Sequence, residues 1–307
     1  MSVSLQKIGK LSGHKNHITK ICSTEDSEYF FTSSRDKKVF KWKFTDPTSI
    51  ALPIRAFEKS DKSVNSISIR NNFVVTGSSN AEGRIYDTET KESLKLIGHQ
   101  KDILCTAVNH TGNKIITGGV DGTLCLFNLK GELVSQFENK DRNWVTCCDF
   151  IPGKDLLVTG DKEGALRVWD MNGDVLATYY KGSTTKVLSG GVTCLSITPD
   201  GTYCAYATRD CDVFIINLEK KNCIRVFNTE SVVYSCAFAN TEPVLALGTR
   251  NSIIIWDVIL NKVLNKIDDF KSIFITSIGW FKKMLLVGMN NGDLQVYETV
   301  QAAASTQ

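Results

Sequence analysis

The chain has 307 residues, of which 42% are hydrophobic and 22% are charged, and its net charge is +3. These values are typical of a folded, water-soluble protein built as one repeat domain or as two ordinary domains. No apolar run approaches the ~18 residues of a membrane helix, and the start, MSVSLQKIGK, lacks the apolar core of a secretory signal. We therefore expect a cytoplasmic or nuclear protein that is not bound to a membrane.

Ten cysteines and four histidines argue against a disulfide framework and against a zinc site. The cysteines are scattered through apolar runs such as VTCCDF and VYSCAF, where they serve as small core residues in a reducing compartment. The sequence contains no C-x-x-C pair, and the histidines form no recurring ligand spacing with the cysteines. We expect no metal and no cofactor.

In chain order, the first predicted element is a strand, LQKIGKL at 5–11, followed by Gly13-His14 and a series of repeats. Each repeat has a strand that ends in an aromatic or apolar anchor residue, and successive anchors are separated by 40 to 47 residues. The anchors are Trp42, Tyr86, Phe127, Trp169, Ile216, Trp256 and Tyr297. Seven anchors at such similar separations indicate an array of seven repeats.

Within each repeat, short runs with alternating apolar and polar residues lie between Gly, Asn and Asp turns. In the third repeat these runs are ILCTAV, KIITGG and TLCLFN. This period of two predicts antiparallel hairpins, and no segment shows a sustained helical period. The sequence therefore predicts an all-β protein.

With these features the chain resembles the WD-repeat family, whose members are β-propellers with four-stranded blades. The resemblance implies a single seven-bladed WD-repeat β-propeller over residues 1–300 and a disordered tail over 301–307. It also implies that the N-terminal strand closes the last blade, with Leu5–Leu11 pairing beside Asp293–Glu298. Closure of the ring removes the exposed sheet edges that promote aggregation.

The family resemblance assigns structural roles to the conspicuous polar residues. In the first repeat, His14, Ser34, Asp36 and Trp42 are expected to form one hydrogen-bonded network that fixes the turns of the blade. His99, Asp121 and Asp210 occupy the same positions in later repeats and are expected to be structural as well. Aspartates in separate blades are too far apart for acid–base chemistry. No nucleophile, phosphate-loop or calcium-loop motif is present, so we expect a binding platform without catalytic residues.

The excess of positive charge lies at the beginning of the chain. Residues 1–62 contain 12 Lys and Arg against 7 Asp and Glu, whereas the remaining residues contain 24 against 26. In a propeller, the turn at Ser34–Lys38 and the turn at Gly13–His17 emerge on the same face. Lys15, Arg35, Lys37 and Lys38 are therefore expected to form one cationic patch. Such a patch suits the phosphate backbone of a nucleic acid.

Within the WD-repeat family, the chain is similar to the group of the receptor for activated C kinase. TSSRDKKVFKWKF at 32–44, LPIRAF at 52–57 and NWVTCCDFIP at 143–152 carry this similarity. The resemblance implies a cytoplasmic scaffold on the head of the small (40S) ribosomal subunit near the messenger RNA exit. It implies contacts with 18S rRNA and 40S ribosomal proteins, and recruitment of protein kinases and translation factors. Arg35 and Lys37 stand at the RNA-contacting positions, and Arg55 falls on a basic linker position.

Two other functions remain open at this point. One is a G-protein β-like signalling adaptor that acts away from the ribosome, and the other is an enzyme whose polar site is built around the central channel of a propeller.

Overall fold

The computed structural model describes residues 3–24, 28–44, 53–55, 57, 60–138, 141–185, 190–240, 242–270 and 273–301. The described strands form seven four-stranded antiparallel sheets that follow one another along the chain. Each sheet is one blade, and its four strands are ordered from the innermost to the outermost. This confirms the predicted all-β, seven-bladed propeller.

The strands of the first four blades follow the chain without interruption. Blade 1 contains β2 (Ile18–Ser23), β3 (Tyr29–Ser34), β4 (Val39–Lys43) and β5 (Pro53–Arg55). Blade 2 contains β6 (Val64–Arg70), β7 (Phe73–Ser78), β8 (Gly83–Asp87) and β9 (Ser93–Leu96). Blade 3 contains β10 (Ile103–Val108), β11 (Lys114–Gly119), β12 (Thr123–Asn128) and β13 (Leu133–Glu138). Blade 4 contains β14 (Val145–Phe150), β15 (Leu156–Asp161), β16 (Ala165–Asp170) and β17 (Val175–Tyr180).

The last three blades complete the ring, and the seventh takes its outer strand from the other end of the chain. Blade 5 contains β18 (Val192–Ile197), β19 (Tyr203–Thr208), β20 (Asp212–Asn217) and β21 (Asn222–Asn228). Blade 6 contains β22 (Val233–Phe238), β23 (Val244–Thr249), β24 (Ile253–Asp257) and β25 (Lys262–Ile267). Blade 7 contains β26 (Ile275–Phe281), β27 (Met284–Met289), β28 (Asp293–Gln301) and β1 (Val3–Ser12).

The N-terminal strand closes the ring, as predicted. Strand β1 pairs antiparallel with β28, with Leu5 opposite Thr299 and Leu11 opposite Leu294. At one end of this pair the Lys10 ammonium lies 2.7 Å from Asp293, and the Ser12 hydroxyl donates to the same carboxylate. Strand β28 includes Gln301, the first residue of the tail expected over 301–307, and the other residues of that tail lie outside the described residues.

The core lies between neighbouring blades, in clusters that each combine strands of two sheets. The tryptophan anchors Trp42, Trp169 and Trp256 are all buried, with at most 2% of each residue exposed. Trp42 packs with Phe40 on one face of β4, whereas Val39 packs on the other face toward blade 2. The alternation read from the sequence of β4 is therefore the alternation of its two packing faces.

Close approach of adjacent blades requires small residues near the end of the second strand of each blade. A Cβ atom on Gly118 would lie 2.7 Å from Val145 of blade 4, and one on Gly160 would lie 2.5 Å from Val192 of blade 5. Each neighbour is the first residue of the next inner strand. Glycine is retained there because any side chain would push the two blades apart.

Each inner strand has a β-bulge near its start, and in blades 1, 4 and 7 the residue at the bulge is a threonine that ties the ring together. Thr19 donates to the carbonyl of Val64 at 2.7 Å, Thr146 to that of Val192 at 2.7 Å and Thr276 to that of Ile18 at 2.6 Å. Each acceptor belongs to the following blade. These hydrogen bonds hold neighbouring inner strands at the channel, so the loops at the channel mouths sit on a rigid ring.

Candidate nucleic-acid interface

The predicted patch lies where two connections of blade 1 meet on one face of the propeller. Because strands alternate in direction, the loop before each inner strand and the turn between the second and third strands share a face. The amide of Arg35 donates to the carbonyl of His17 at 3.0 Å, which joins the β3–β4 turn to the loop before β2. The sequence prediction that these two connections lie together is confirmed.

The carboxylate of Asp36 holds both connections in place. It lies 3.0 Å from Nδ1 of His14 and accepts the backbone amides of Lys15 at 2.9 Å and Lys38 at 3.0 Å. Burial opposes ionisation of this carboxyl, but the hydrogen bonds from His14 and from the Lys15 amide outweigh burial and lower its pKa. Asp36 is therefore an ionised anchor for the turn.

The polar network of blade 1 contains a residue that the sequence prediction missed. The hydroxyl of Thr32 lies 2.8 Å from Nε2 of His14, and it also accepts the indole Nε1 hydrogen of Trp42 at 2.8 Å. Ser34, an expected member of this network, accepts the amide of Asp36 and donates to the carbonyl of Asn16. The centre of the network is therefore Thr32, and Ser34 joins it through the backbone of Asp36.

The later repeats keep parts of this arrangement. In blade 3, His99 lies between Asp121, at 3.0 Å, and Thr117, at 2.8 Å, and Phe127 replaces the tryptophan. In blade 4, Trp169 donates to Thr159 at 2.8 Å in a blade without the histidine. A threonine at the fourth position of the second strand, shared by Thr32, Thr117 and Thr159, is the signal by which the sequence could have identified Thr32.

The carboxylate of Asp210 in blade 5 holds the turn between β19 and β20 through partners other than a histidine. Its carboxylate accepts the amide of Gly190 at 2.9 Å, and it lies 3.0 Å from the ammonium of Lys181. Gly190 lies in the loop before β18. The corresponding loops of blades 1 and 3 carry His14 and His99. This aspartate fixes the same pair of loops without an imidazole.

Three cations on these connections remain available to a ligand, and we name Lys15, Arg35 and Lys37 the first-blade patch. Lys15 and Arg35 are exposed, and Lys37 is half-buried. Within the described ranges, none of the three forms an ion pair with a carboxylate. Burial and the nearby positive charge of Arg35 lower the pKa of His17, so this imidazole is neutral beside the guanidinium.

Other lysines in the same stretch have partners inside the blade. The ammonium of Lys41 lies 3.6 Å from the centre of the Tyr29 ring, and that of Lys43 is 2.6 Å from Glu28. Lys38 shares the turn with the first-blade patch, but its ammonium lies 5.8 Å from the centre of the Phe40 ring. The lysine-rich segment therefore divides into lysines that pack on rings and cations that face solvent.

The linker into blade 2 adds an exposed cation that the sequence prediction did not single out. The amide of Ser60 donates to the carbonyl of Lys37 at 3.0 Å, and the hydroxyl of Ser63 donates to that of Arg35 at 3.3 Å. Lys62 is exposed between these two contacts. Of the predicted Arg55, the structure describes the backbone, which pairs in β5 opposite Phe40, and its side chain lies outside the described part.

Comparison with known proteins identifies the repeat and its relatives. The sequence pattern described as "WD domain, G-beta repeat" matches residues 5–43, 90–128, 131–170 and 180–217. Each of the first three matches covers most or all of the outer strand of one blade and three strands of the next, so a sequence repeat joins two neighbouring blades. The fourth match begins at Tyr180, the last residue of β17, and covers β18, β19 and β20.

Two curated relatives match nearly the whole chain. A protein of Encephalitozoon cuniculi (strain GB-M1) named guanine nucleotide-binding protein subunit beta-like protein is 32% identical over 290 residues, which cover 86% of this chain and 87% of the relative. A protein of Oryza sativa subsp. japonica named small ribosomal subunit protein RACK1y is 25% identical over 329 aligned positions, which cover 96% of each chain. No helix in the described part of the chain has the length and apolarity to span a membrane.

Proposed function

This chain belongs to the WD-domain, G-beta-repeat family as a non-enzymatic scaffold, and we propose that it docks on the small (40S) ribosomal subunit. The first-blade patch contacts the phosphates of 18S rRNA on the head of the subunit, near the messenger RNA exit. Neighbouring 40S ribosomal proteins complete the interface. The other surfaces present protein kinases and translation factors to the ribosome, which makes the protein cytoplasmic and ribosome-associated.

The observation that carries this proposal is the placement of Lys15, Arg35 and Lys37. All three lie on one face, within two connections that backbone hydrogen bonds hold together. A cationic surface without bound carboxylates attracts a polyanion, and its backbone is already ordered before it binds. The name of the rice relative supports the ribosome as the source of that polyanion.

Arginine and lysine contribute differently to such an interface. The guanidinium of Arg35 can bind two oxygens of one phosphate, whereas Lys15 and Lys37 supply point charges. The patch contains no exposed aromatic ring on which a base could stack. It therefore suits the shape and backbone of folded RNA better than a particular base sequence.

Co-sedimentation with small ribosomal subunits tests this proposal. The protein should migrate with 40S particles on a sucrose gradient at physiological salt, and it should be released as salt rises, because counterions replace the lysine and arginine contacts. A protein that stays at the top of the gradient at every salt concentration would refute the proposed docking.

The alternative function is a G-protein β-like signalling adaptor that acts off the ribosome. The name of the Encephalitozoon relative favours it. The same gradient distinguishes the two functions. An adaptor of this kind would be absent from the 40S fractions and would co-purify with signalling proteins instead.

A further inference from the structure

Charged side chains from three blades line one section of the central channel. They are Lys20 from β2, Arg70 from the end of β6 and Asp149 from β14. Together with Ser68 and Thr106 they border a cavity of about 250 Å³. His110 and Pro152, which lie in turns between first and second strands, are also at its wall. The cavity therefore opens on the face opposite the first-blade patch.

The ammonium of Lys20 has few partners in this cavity. It reaches from blade 1 to the backbone carbonyl of Thr106 in blade 3, at a distance of 3.4 Å. That contact is longer than an ordinary hydrogen bond between nitrogen and oxygen. No carboxylate of the described residues lies within 4.0 Å of the ammonium. Lys20 consequently retains donors for a ligand in the channel.

The hydroxyl of Ser68 is a buried polar group without a partner in the same wall. Only 9% of Ser68 is exposed, and its Oγ atom has no hydrogen-bond partner among the described residues. A buried hydroxyl without a partner is destabilising, because its hydrogen bonds to water are lost and not replaced. A ligand that accepts a hydrogen bond from Ser68 would remove this cost.

Arg70 brings a guanidinium that is already fixed in place. Its Nε atom donates to the carbonyl of His110 at 2.9 Å, and its Nη2 atom contacts Nδ1 of the same residue. The Nη1 atom makes no hydrogen bond to a described residue. An immobilised guanidinium loses little freedom when it binds an oxyanion, so it is well suited to one.

The balance of charge favours an anion in this cavity. Two cations, Lys20 and Arg70, face one carboxyl, that of Asp149. Burial raises the pKa of Asp149, and the two cations oppose this effect. The amide of Phe150 donates to the same carboxyl at 2.9 Å. Lys20 and Arg70 would both attract a bound anion. Of the three charged groups, only the ionised form of Asp149 would repel it.

The cavity has room for a hydrated anion. Its volume is about 250 Å³, and Lys20, Arg70 and Asp149 also line an adjoining section of the channel of about 450 Å³. At about 30 Å³ for each water molecule, the space is ample for a tetrahedral oxyanion and its hydration.

We propose that this cavity binds a phosphate group, as the free ion or as the end of a small phosphate monoester, through Lys20, Ser68 and Arg70. The site lies on the opposite face from the first-blade patch, and it does not depend on ribosome docking.

Isothermal titration calorimetry of the full chain with inorganic phosphate tests the site, with ionic strength held constant by sodium chloride. Glycerol 3-phosphate in a second titration distinguishes the free ion from a monoester. We expect saturable binding that Lys20→Met and Ser68→Ala weaken, the former by at least about tenfold, because a charge-assisted hydrogen bond is lost. Asp149→Asn should tighten binding, because the amide keeps the acceptor for Phe150 and removes the repelling charge. Lys130→Met, at an exposed lysine on the same face, is the matched control and should bind as the parent does.

The gain of affinity in Asp149→Asn is the decisive measurement, since a folding defect cannot produce it. If Lys20→Met fails to fold, Ser68→Ala and Asp149→Asn decide the outcome. No saturable phosphate binding by the parent chain would overturn the proposal. Equal affinities of the parent, Ser68→Ala and Asp149→Asn would overturn it as well.

Discussion

The carboxylate of Asp36 lies 3.0 Å from the imidazole of His14, inside the same turn that exposes Arg35 and carries Lys37. The four consecutive residues from 34 to 37 thus belong alternately to a buried network, through Ser34 and Asp36, and to a charged surface, through Arg35 and Lys37. Asp36 fixes the geometry of the turn, and its two sequence neighbours supply the charge. This division allows structural and binding roles to be separated by mutation.

Charge reversal at Arg35 and Lys37 should remove the chain from 40S fractions. We expect Arg35→Glu/Lys37→Glu to stay at the top of a sucrose gradient at physiological salt, with a melting temperature close to that of the parent. The cause is repulsion from RNA phosphates, which the parent attracts. The matched control is Lys91→Glu/Lys130→Glu, because both lysines are exposed on the opposite face. Lys91 also shares the positive φ of Lys37. Co-migration of the first double variant with 40S particles would contradict the docking.

Loss of the Asp36 carboxylate should destabilise the fold. Asp36→Ala leaves His14 and two backbone amides without their acceptor, so the free energy of unfolding should fall by roughly 1–3 kcal/mol. Asp210→Ala should cost less, because that carboxylate is about one-third exposed and pairs with a half-exposed lysine. Urea denaturation followed by circular dichroism measures both, and an unchanged midpoint for Asp36→Ala would remove its structural role.

Thr32 should matter more than its equivalent in blade 3. Thr32→Val deprives both His14 and Trp42 of a hydrogen-bond partner, and roughly 1–3 kcal/mol of stability should be lost. Thr117→Val deprives only His99, because Phe127 has no polar hydrogen, so its effect should be smaller. The same denaturation experiment ranks the two variants. A larger loss for Thr117→Val would show that the indole contact contributes little.

The His99–Asp121 pair should make stability depend on pH. Burial disfavours the charged imidazole, but the hydrogen bond to Asp121 outweighs burial and raises the pKa of His99 to about 9 from an ordinary value of 6.5. A raised pKa means that the folded state binds the proton more tightly. The resulting stability is fully present below pH 6.5 and is lost as the pH rises through about 9.

Comparison of the parent with His99→Gln at several pH values measures this contribution. The difference in unfolding free energy should be largest near pH 6 and should shrink by pH 9.5. On the acidic side, hydrogen bonds from His99 and Gln100 lower the pKa of Asp121 against the effect of burial. The contribution of ionised Asp121 to the stability of the fold should therefore be lost only as the pH falls below 3.8, the ordinary pKa of an aspartate. A difference in unfolding free energy between the parent and His99→Gln that stays constant from pH 6 to pH 9.5 would exclude a charged His99–Asp121 pair.

Much of the fold followed from residue patterns that are local in the chain. The anchor spacing predicted the number of blades, and the alternation around Trp42 predicted which side chains of β4 face the core. Ring closure by β1 was predicted from an unpaired strand candidate together with the resemblance to the WD-repeat family. The network of blade 1 was predicted only in part, because Ser34 and Thr32 are both hydroxyl residues of one strand end. Sequence spacing does not show which hydroxyl reaches the indole of Trp42.

The sequence by itself determined seven repeats of antiparallel strands, because strand alternation and turn residues act over a few positions. Its resemblance to the WD-repeat family added the propeller and the face on which Arg35 and Lys37 lie. Only the tertiary structure decided which cations are free, since the rings beneath Lys41 and Lys38 and the carboxylate beside Lys43 become neighbours through strand pairing. It alone brought Lys20, Ser68, Arg70 and Asp149 to one cavity. These residues belong to three blades, and no local pattern records the closure of a ring that makes them neighbours.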